Sequence, residues 1–346
     1  MNTRIALIIG GSLGAGCGLA LGIRKQRSRF SFRGRVVVIT GGSRGLGLVM
    51  ARQLAREGAR LAILARDSRE LQRATAQLRN VGAEVLALQC DVRNQEEAEA
   101  AIQRTADHFG ALDVLINNAG VIQVGPWEHM TIEDFEEAMA IHLYGPLYCT
   151  LAAVPYMRRA GGGRIVNISS IGGKIAVPHL LPYCASKFAL VGLSDGLRAE
   201  LRRENILVTT VCPGLMRTGS PRNALFKGRH RGEYTWFAIS DSLPLLSMNA
   251  ERAARRIINA TRRGAARLVL GAPAKAAVLA SELFPAATAT MLGLADRVLP
   301  SSSEQCAAEA HRGAESQSAF APSWLTRLSE KAARRNNEAP ISHNGP

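Results

Sequence analysis

A glycine-rich turn between a β-branched strand and a helix constrains the fold of this chain more than any other feature. Residues 35–40 form an apolar, β-branched run typical of a buried strand, and Gly-Gly-Ser-Arg-Gly-Leu-Gly follows at residues 41–47. Residues 48–57 have helical spacing, and residues 60–65 predict a second strand. This order predicts a βαβ unit whose glycines open a helix N-terminus. Such a turn suits a pyrophosphate, because free N–H groups and the helix dipole attract negative charge.

A second glycine-rich stretch, at residues 8–16, has a similar pattern. It is followed by residues 17–23 and a basic run, with no amphipathic helix and no second strand. We therefore reject it as a nucleotide site.

The end of the second predicted strand indicates which dinucleotide would bind. An acidic residue at this position binds the ribose hydroxyls of NAD, whereas an arginine pairs with the 2′-phosphate of NADP. Arg66 comes first, Arg44 of the glycine turn can join it, and Asp67 points the other way if the strand pleat alternates. We predict NADP(H) as the cofactor and keep NAD as the alternative. An ordinary solvated arginine is the other interpretation of Arg66.

Ser170, Tyr183 and Lys187 are the candidate catalytic residues. Tyr183 and Lys187 are four positions apart, which places both side chains on one face of a helix. A neighbouring ammonium favours the phenolate, so we expect Lys187 to lower the pKa of Tyr183 towards working pH. Ser170 ends an apolar run and can hold the same substrate oxygen. An isolated Tyr-x-x-x-Lys pair is usually a surface lysine beside a half-buried tyrosine, but this one accompanies a predicted dinucleotide site.

Polar or turn-forming residues follow three further predicted strands. Asp91 and Val92 follow residues 84–89, where an adenine edge can be met. Asn117-Asn118-Ala119-Gly120 follows residues 112–116, and asparagine side chains there can bridge neighbouring strand ends. Residues 213–218, with Pro213, Gly214 and Thr218, follow residues 206–212, where a loop can close over a nicotinamide.

Together, in this order, these motifs resemble the short-chain dehydrogenase/reductase family over about residues 32–271. The resemblance implies an α/β, doubly wound Rossmann-type domain with a seven-stranded parallel sheet and helices on both faces. It also implies that Tyr183 is the general acid/base, that Ser170 orients and polarises the substrate oxygen, and that Lys187 additionally holds the nicotinamide ribose. The cofactor-binding positions are then Gly41, Ser43, Arg44, Gly45, Leu46, Gly47, Arg66, Asp91, Val92, Asn118, Ala119, Gly120, Tyr183, Lys187, Pro213, Gly214 and Thr218.

The chain departs from the family pattern at His142. The family commonly has an asparagine here, in the helix after the fourth strand, as part of a proton relay to the lysine. Histidine can still hydrogen bond to water or backbone, so His142 is a fourth candidate catalytic residue. The alternative is a buried histidine that only supports a bend in the helix.

The charge balance indicates a membrane surface rather than a nucleic acid. The 346 residues include 43 Lys and Arg against 28 Asp and Glu, a formal net charge of +15. No aromatic interleaving or nucleic-acid motif accompanies the basic residues, which favours anionic lipid. The six cysteines are scattered without metal-ligand spacing and indicate reduced thiols, and we predict no metal site.

The N-terminal residues 1–31 are predicted to be a hydrophobic anchor segment with a basic linker. Residues 5–23 are uncharged, about long enough to span a bilayer as a helix, and carry glycines at positions 10, 14, 18 and 22. The basic residues that follow place the enzyme domain on the cytoplasmic side. A cleaved signal peptide and a soluble arm are the alternatives.

The rest of the chain divides into residues 32–272, the dehydrogenase domain, residues 273–300, an apolar helical extension, and residues 301–346, a flexible polar tail. The extension is expected to form two short helices that cover the substrate mouth or lie on the membrane, and the alternative is an extra helical cap on the core. Within the tail, residues 324–335 can form a basic amphipathic helix. Residues 215–248 mix basic side chains with apolar ones, among them Phe226 and Phe237, and apolar lining there would suit a lipid-like or polycyclic carbonyl or alcohol. The alternative is that these apolar side chains only pack the loop.

Three functions follow. The first is an NADP(H)-dependent oxidoreductase that acts on an apolar carbonyl or secondary alcohol at a membrane surface. The second is an NAD-dependent dehydrogenase or epimerase of the same fold, and the third is a nucleotide-binding protein without catalysis. His142 is the one feature that favours the third. The resemblance also suggests a homodimer or tetramer.

Overall fold

The central sheet of the computed structural model has seven parallel strands, as predicted. The structure describes residues 30–243, 247–301, 309–318, 321–323 and 326–338, so the predicted anchor at residues 5–23 lies outside the described residues. The strands are β1 (Val36–Thr40), β2 (Arg60–Ala65), β3 (Val85–Gln89), β4 (Val114–Asn117), β5 (Gly163–Ile168), β6 (Ile206–Pro213) and β7 (Arg267–Leu270). Their order is β3-β2-β1-β4-β5-β6-β7. The reversal of strand order beside β1 brings the carboxyl ends of β1 and β4 together, where ligands bind in doubly wound folds.

Helices connect the strands. They are α1 (Gly45–Arg56), α2 (Ser68–Arg79), α3 (Gln95–Phe109), α4 (Ile132–Met139), α5 (Gly145–Arg159), α6 (Leu181–Leu201), α7 (His230–Ser242), α8 (Ala250–Arg263), α9 (Ala272–Leu283), α10 (Pro285–Asp296) and α11 (Arg327–Arg335). Apolar side chains of α3 and α5 form the main core with β1, β2, β4 and β5, whereas α1 and α8 pack against each other. The inner strands β1, β4, β5 and β6 are rich in β-branched residues and nearly fully buried, as expected when helices cover both faces of a sheet, whereas the edge strands β3 and β7 are partly exposed.

A π-helical turn, Ala140–Tyr144, joins α4 to α5. The continuous run Ile132–Arg159 is the one described helix that is long and apolar enough to cross a membrane, but half of it is buried within the fold. Its apolar composition is therefore explained by its place in the core of the domain.

Apolar side chains of the loop after β6 belong to a second buried cluster. The loop contains a single-turn helix, Ser220–Asn223, a short strand, Leu225–Phe226, and α7. The short strand pairs with Gln123–Val124 and with His311–Arg312. Phe226 and Phe237, expected to line a substrate pocket, are almost fully buried in this cluster. They pack the loop because aromatic side chains from three segments meet there.

The C-terminal region also differs from the expected flexible tail. Its described residues contain the strand His311–Arg312 and α11, and Ser329 and Ala333 of α11 are buried. A predicted basic helix is thus present, although it is docked on the domain. Helices α9 and α10, with Phe284 between them, expose several large apolar side chains, including Leu283, Phe284 and Met291.

Candidate active site

Ser170, Tyr183 and Lys187 lie together at the carboxyl edge of the sheet. Ser170 follows β5, and its Oγ accepts a hydrogen bond of 3.0 Å from the Gly172 amide, so it caps a short 3-10 turn. Tyr183 and Lys187 occupy the first two turns of α6, and the Lys187 Nζ lies 5.7 Å from the centre of the Tyr183 ring. A side-chain hydrogen bond links Ser170 to Tyr183. The arrangement can present a hydroxyl and a phenol to one substrate oxygen.

Lys187 is buried beneath this edge, with 4% of its surface exposed. Its Nζ donates a hydrogen bond of 3.0 Å to the carbonyl of Ile168. Burial disfavours the ammonium and lowers the pKa of Lys187 to about 7. The group therefore changes charge near neutral pH, which is the range needed for acid–base work.

The pKa of Tyr183 departs from the sequence-based expectation. Burial raises the pKa above its ordinary value, and the hydrogen bond from Ser170 opposes this only in part. The expected lowering by Lys187 is not seen, because the lysine is itself desolvated and points its Nζ at the Ile168 carbonyl. In this form the phenol keeps its proton.

Both ring nitrogens of His142 form hydrogen bonds. It lies in the π-helical turn with 1% of its surface exposed, and its Nε2 accepts a hydrogen bond of 3.2 Å from the Val121 amide. The proton is then on Nδ1, which lies 2.8 Å from the Ser186 Oγ, and that hydroxyl donates to the Tyr183 carbonyl. Burial and nearby Lys187 hold the pKa of His142 well below its usual value. A neutral imidazole thus supports the first turn of α6.

The glycine turn has the shape that a pyrophosphate requires. Gly41 and Gly45 have φ of +63° and +55°, and a Cβ on Gly41 would lie 3.0 Å from the Ala119 Cα. Asn118 holds this approach, since its Nδ2 donates to the carbonyls of Thr40 and Gly41 at 3.1 Å each. Leu46 and Gly47 are buried in the first turn of α1, where a Cβ on Gly47 would strike the carbonyl of Gly41. These residues fit a bound dinucleotide.

Arginines gather at the tip of β2, where an adenosine ribose would lie. Arg44 donates to Glu70 at 2.8 Å, and Arg66 lies 4.0 Å from Asp91. Asp67 faces its own helix, because its Oδ1 caps α2 at the Glu70 amide. Two arginines therefore lie near the strand tip, each beside a carboxylate of another element, while Asp67 is engaged in capping α2.

Asp91 and Val92, which follow β3, contact residues of neighbouring segments in this structure. Asp91 forms a bidentate ion pair with Arg93, and its pKa is lowered although burial acts in the opposite direction. Val92 is buried against Gly145 at the start of α5, where a Cβ would meet it at 3.0 Å.

The loop after β6 reaches the same edge. Gly214 lies against Ala274, whose Cβ would be 2.9 Å from an added Cβ. Thr218 is buried, and its Oγ1 lies 2.7 Å from the Ser220 Oγ. Gly120 packs beside His142 and Lys187. The structure thus brings together the predicted residues of β1, β4, β5, α6 and this loop.

Asn117 bridges the ends of β4 and β5 through Asn167, as predicted, but the bridge extends further than expected. A buried chain of polar side chains, Asn117, Asn167, Ser194 and Thr210, links β4, β5, α6 and β6 through hydrogen bonds of 2.8–3.0 Å. Two further features of the site were not predicted. Glu70 binds both Ser43 and Arg44. Residues 336–338 lie against the glycine turn. The helical position of Glu70, one turn after the tip of β2, was a usable signal, but no local pattern marks residues 336–338.

Comparison with known proteins agrees with this geometry. The family model described as short chain dehydrogenase matches residues 35–225. The putative oxidoreductase SadH of Mycobacterium tuberculosis is 35% identical over 248 residues, which cover 71% of this chain and 89% of that protein. The D-threitol dehydrogenase of Mycolicibacterium smegmatis is 35% identical over 191 residues, which cover 55% and 74% of the two chains.

Solved structures extend the comparison. The crystal structure of levodione reductase has a TM-score of 0.62 at 27% identity and covers 71% of this chain and 99% of its own. A short-chain dehydrogenase/reductase from Burkholderia phymatum, in complex with NAD, has a TM-score of 0.69 at 26% identity, with 73% and 95% covered. The chain belongs to the short-chain dehydrogenase/reductase family and is an NAD(P)-dependent dehydrogenase or reductase.

Proposed function

We propose that this enzyme uses NADP(H) to interconvert an apolar carbonyl and its secondary alcohol at a membrane surface. The observation that carries the reaction class is the convergence of Ser170, Tyr183 and Lys187 beside the glycine turn. The preference for NADP(H) over NAD is supported by Arg44 and Arg66 near the tip of β2, where Asp67 is engaged as a helix cap.

The side chains have distinct roles in carbonyl reduction. The glycine turn and Lys187 would hold the dinucleotide, and its nicotinamide would supply a hydride for the carbonyl carbon. The Tyr183 phenol donates its proton to the carbonyl oxygen, and the Ser170 hydroxyl donates a hydrogen bond to the same oxygen as charge develops there. The Lys187 ammonium stabilises the phenolate that remains, and its depressed pKa allows it to pass a proton onward at neutral pH. Alcohol oxidation reverses these transfers.

Membrane proximity rests on three properties of the chain. Residues 5–23 are uncharged and long enough to span a bilayer, and the net charge is +15. Helices α9 and α10 carry exposed apolar residues close together in sequence, among them Leu279, Leu283 and Phe284. A substrate that partitions into lipid would reach such an enzyme readily, and the domain would lie on the cytoplasmic side.

The exposed apolar residues of α5 and α6 support pairing with a second copy of the chain. These helices expose Leu151 and Phe188, which are 58% and 43% accessible. Large exposed apolar side chains on two helices suit a symmetric helix-to-helix interface. Sedimentation velocity of wild type and of a Leu151→Glu, Phe188→Glu double variant tests this, and a monomeric wild type contradicts it.

The first test measures oxidation of NADPH and of NADH by purified enzyme with matched panels of apolar and polar ketones. We expect NADPH and apolar ketones to give the higher kcat/KM. Good turnover of sugars beside poor turnover of apolar ketones would overturn the substrate proposal, and preference for NADH would overturn the coenzyme proposal. Flotation with anionic vesicles, with and without residues 1–31, tests the membrane proposal separately.

Binding of NADPH without turnover of any carbonyl would favour the second candidate, a nucleotide-binding protein without catalysis. The specific observation behind this candidate is His142, because both of its ring nitrogens are engaged and neither is free for a relay to Lys187.

A further inference from the structure

The C-terminal helix α11 is fastened to the cofactor side of the domain. Arg222, in the loop after β6, forms an ion pair of 3.0 Å with Glu330, and both side chains are 19% exposed. Ser242 of α7 donates to Ser329 at 2.8 Å. These contacts direct the chain that follows α11 towards the N-terminus of α1.

Asn336 and Asn337 then bind the glycine turn itself. The Gly45 amide donates to the Asn336 carbonyl at 2.9 Å. The Asn337 Nδ2 donates to the carbonyls of Ser43 and Glu70, at 2.9 and 3.1 Å, and its Oδ1 accepts from Arg73 at 2.7 Å. Asn336 and Asn337 are 4% and 7% exposed.

Glu338 fills the space that the missing side chains of two glycines leave open. Its Oε2 accepts a hydrogen bond of 2.6 Å from the Gly219 amide. Its Oε1 lies 2.9 Å from the position that a Cβ on Gly45 would take, and its own Cβ lies 2.5 Å from that position at Gly219. The carboxyl group thus lies between the N-terminus of α1 and the loop after β6.

A phosphate that binds a glycine turn uses the same groups, namely backbone amides at a helix N-terminus. In this structure the Gly45 amide is taken by a carbonyl oxygen and the neighbouring Gly219 amide by a carboxyl oxygen. Two oxygen ligands cannot share these positions with a pyrophosphate. The docked segment and the dinucleotide therefore exclude each other.

We propose that residues 336–338 are an internal competitor for the dinucleotide phosphates, so that the segment must leave the glycine turn before the cofactor binds. This inference rests on the proposed dinucleotide site. Because the segment joins the glycine turn to Gly219, its departure also frees the loop after β6. Cofactor binding is then coupled to opening of that loop, and apparent affinity falls by the fraction of molecules whose segment is docked.

Asn337→Gly is the sharpest variant. Asn337 has φ of +60°, which glycine adopts readily, so the variant removes the amide contacts and keeps the backbone path. Asn205→Gly is the matched control, because Asn205 has φ of +57° and is exposed just before β6, at the opposite edge of the sheet. A chain that ends at Arg335 removes the segment altogether.

The measurement is NADPH affinity, read from the fluorescence of the bound dinucleotide, together with hydrogen exchange of residues 327–338. We expect Asn337→Gly and the shortened chain to bind NADPH about tenfold more tightly, and Asn205→Gly to match the wild type. Saturating NADPH should also speed hydrogen exchange in residues 336–338 of the wild type.

Equal NADPH affinity in all four proteins, with exchange of residues 336–338 unchanged by NADPH, would overturn the competitor role while leaving the proposed function intact. Failure of every protein, including the shortened chain, to bind NADPH or NADH would instead overturn the dinucleotide site on which the inference rests.

Discussion

The imidazole of His142 and the hydroxyl of Ser186 lie 2.8 Å apart in the buried layer beneath the catalytic edge. Since Ser186 in turn donates to the Tyr183 carbonyl, the histidine positions the first turn of α6 from below. The imidazole acts here through hydrogen bonds as a neutral group, and its charge contributes nothing at neutral pH.

His142→Ala should lower the free energy of unfolding by roughly 3 kcal/mol, because it leaves the Val121 amide and the Ser186 hydroxyl without their partner in a buried site. Urea denaturation measures this. His108→Ala, at an exposed position near the end of α3, is the control and should change stability by less than about 0.5 kcal/mol. Equal effects of the two substitutions would contradict the positioning role.

Tyr183→Phe should lower kcat by about 10²- to 10⁴-fold, because it removes the phenol proton beside Ser170. Dinucleotide affinity should change less than about twofold, since the ring remains in place. Steady-state kinetics and coenzyme titration give the two values. Tyr144→Phe, at a residue 46% exposed, should retain full activity. Retained turnover in the Tyr183 variant would assign the proton to another group.

Glu70→Gln should raise the affinity for NADPH about fivefold and leave that for NADH nearly unchanged. The carboxylate forms an ion pair of 2.8 Å with Arg44, and its loss frees the guanidinium for a 2′-phosphate. The exposed Glu84, before β3, provides the matched Glu84→Gln control. A similar gain for both coenzymes would indicate that Glu70 acts on the shared pyrophosphate region.

The depressed pKa of Lys187 predicts a particular dependence of stability on pH. The folded pKa is about 7 and the ordinary value is 10.5, so between these values the unfolded chain binds the additional proton. The contribution of Lys187 to the free energy of unfolding therefore increases as pH rises through this window. Asp241, whose pKa burial raises to about 8, acts in the opposite direction.

The comparison of wild type with Lys187→Met removes the common contribution of Asp241. The stability difference between the two proteins should shift by roughly 2 kcal/mol in favour of the wild type between pH 7 and pH 9. Denaturant titrations at each pH measure it. A difference independent of pH would show that Lys187 keeps its ordinary pKa when folded.

The sequence predicted those parts of the site that depend on local spacing. The turn at Gly41–Gly47 follows directly from a strand and opens a helix, and Tyr183 and Lys187 share a face because they are one helical turn apart. Ser170 could be placed because strands of a parallel sheet end at a common edge. The seven-stranded sheet, which the family resemblance rather than local spacing implies, is confirmed as well.

The parts that escaped prediction depend on distant contacts. The proton affinity of Tyr183 is set by burial, which no spacing reveals. Phe226 and Phe237 look like pocket residues in sequence, but Phe226 packs edge-on against both Tyr234 and Phe237, and the three form part of a core. Glu338 reaches Gly219 from 119 positions away, so its proximity to the glycine turn is a property of the folded chain.

The order of synthesis gives the docked segment a further consequence. Asn337 is separated by 294 positions from Ser43, which it binds, so the ribosome completes β1, α1 and the whole sheet long before it makes this residue. During that interval the glycine turn has no covering segment. A coenzyme molecule in the cell can therefore bind the glycine turn of the nascent domain before residues 336–338 are synthesised. Whether an enzyme molecule first carries coenzyme or the docked segment would then depend on events during translation.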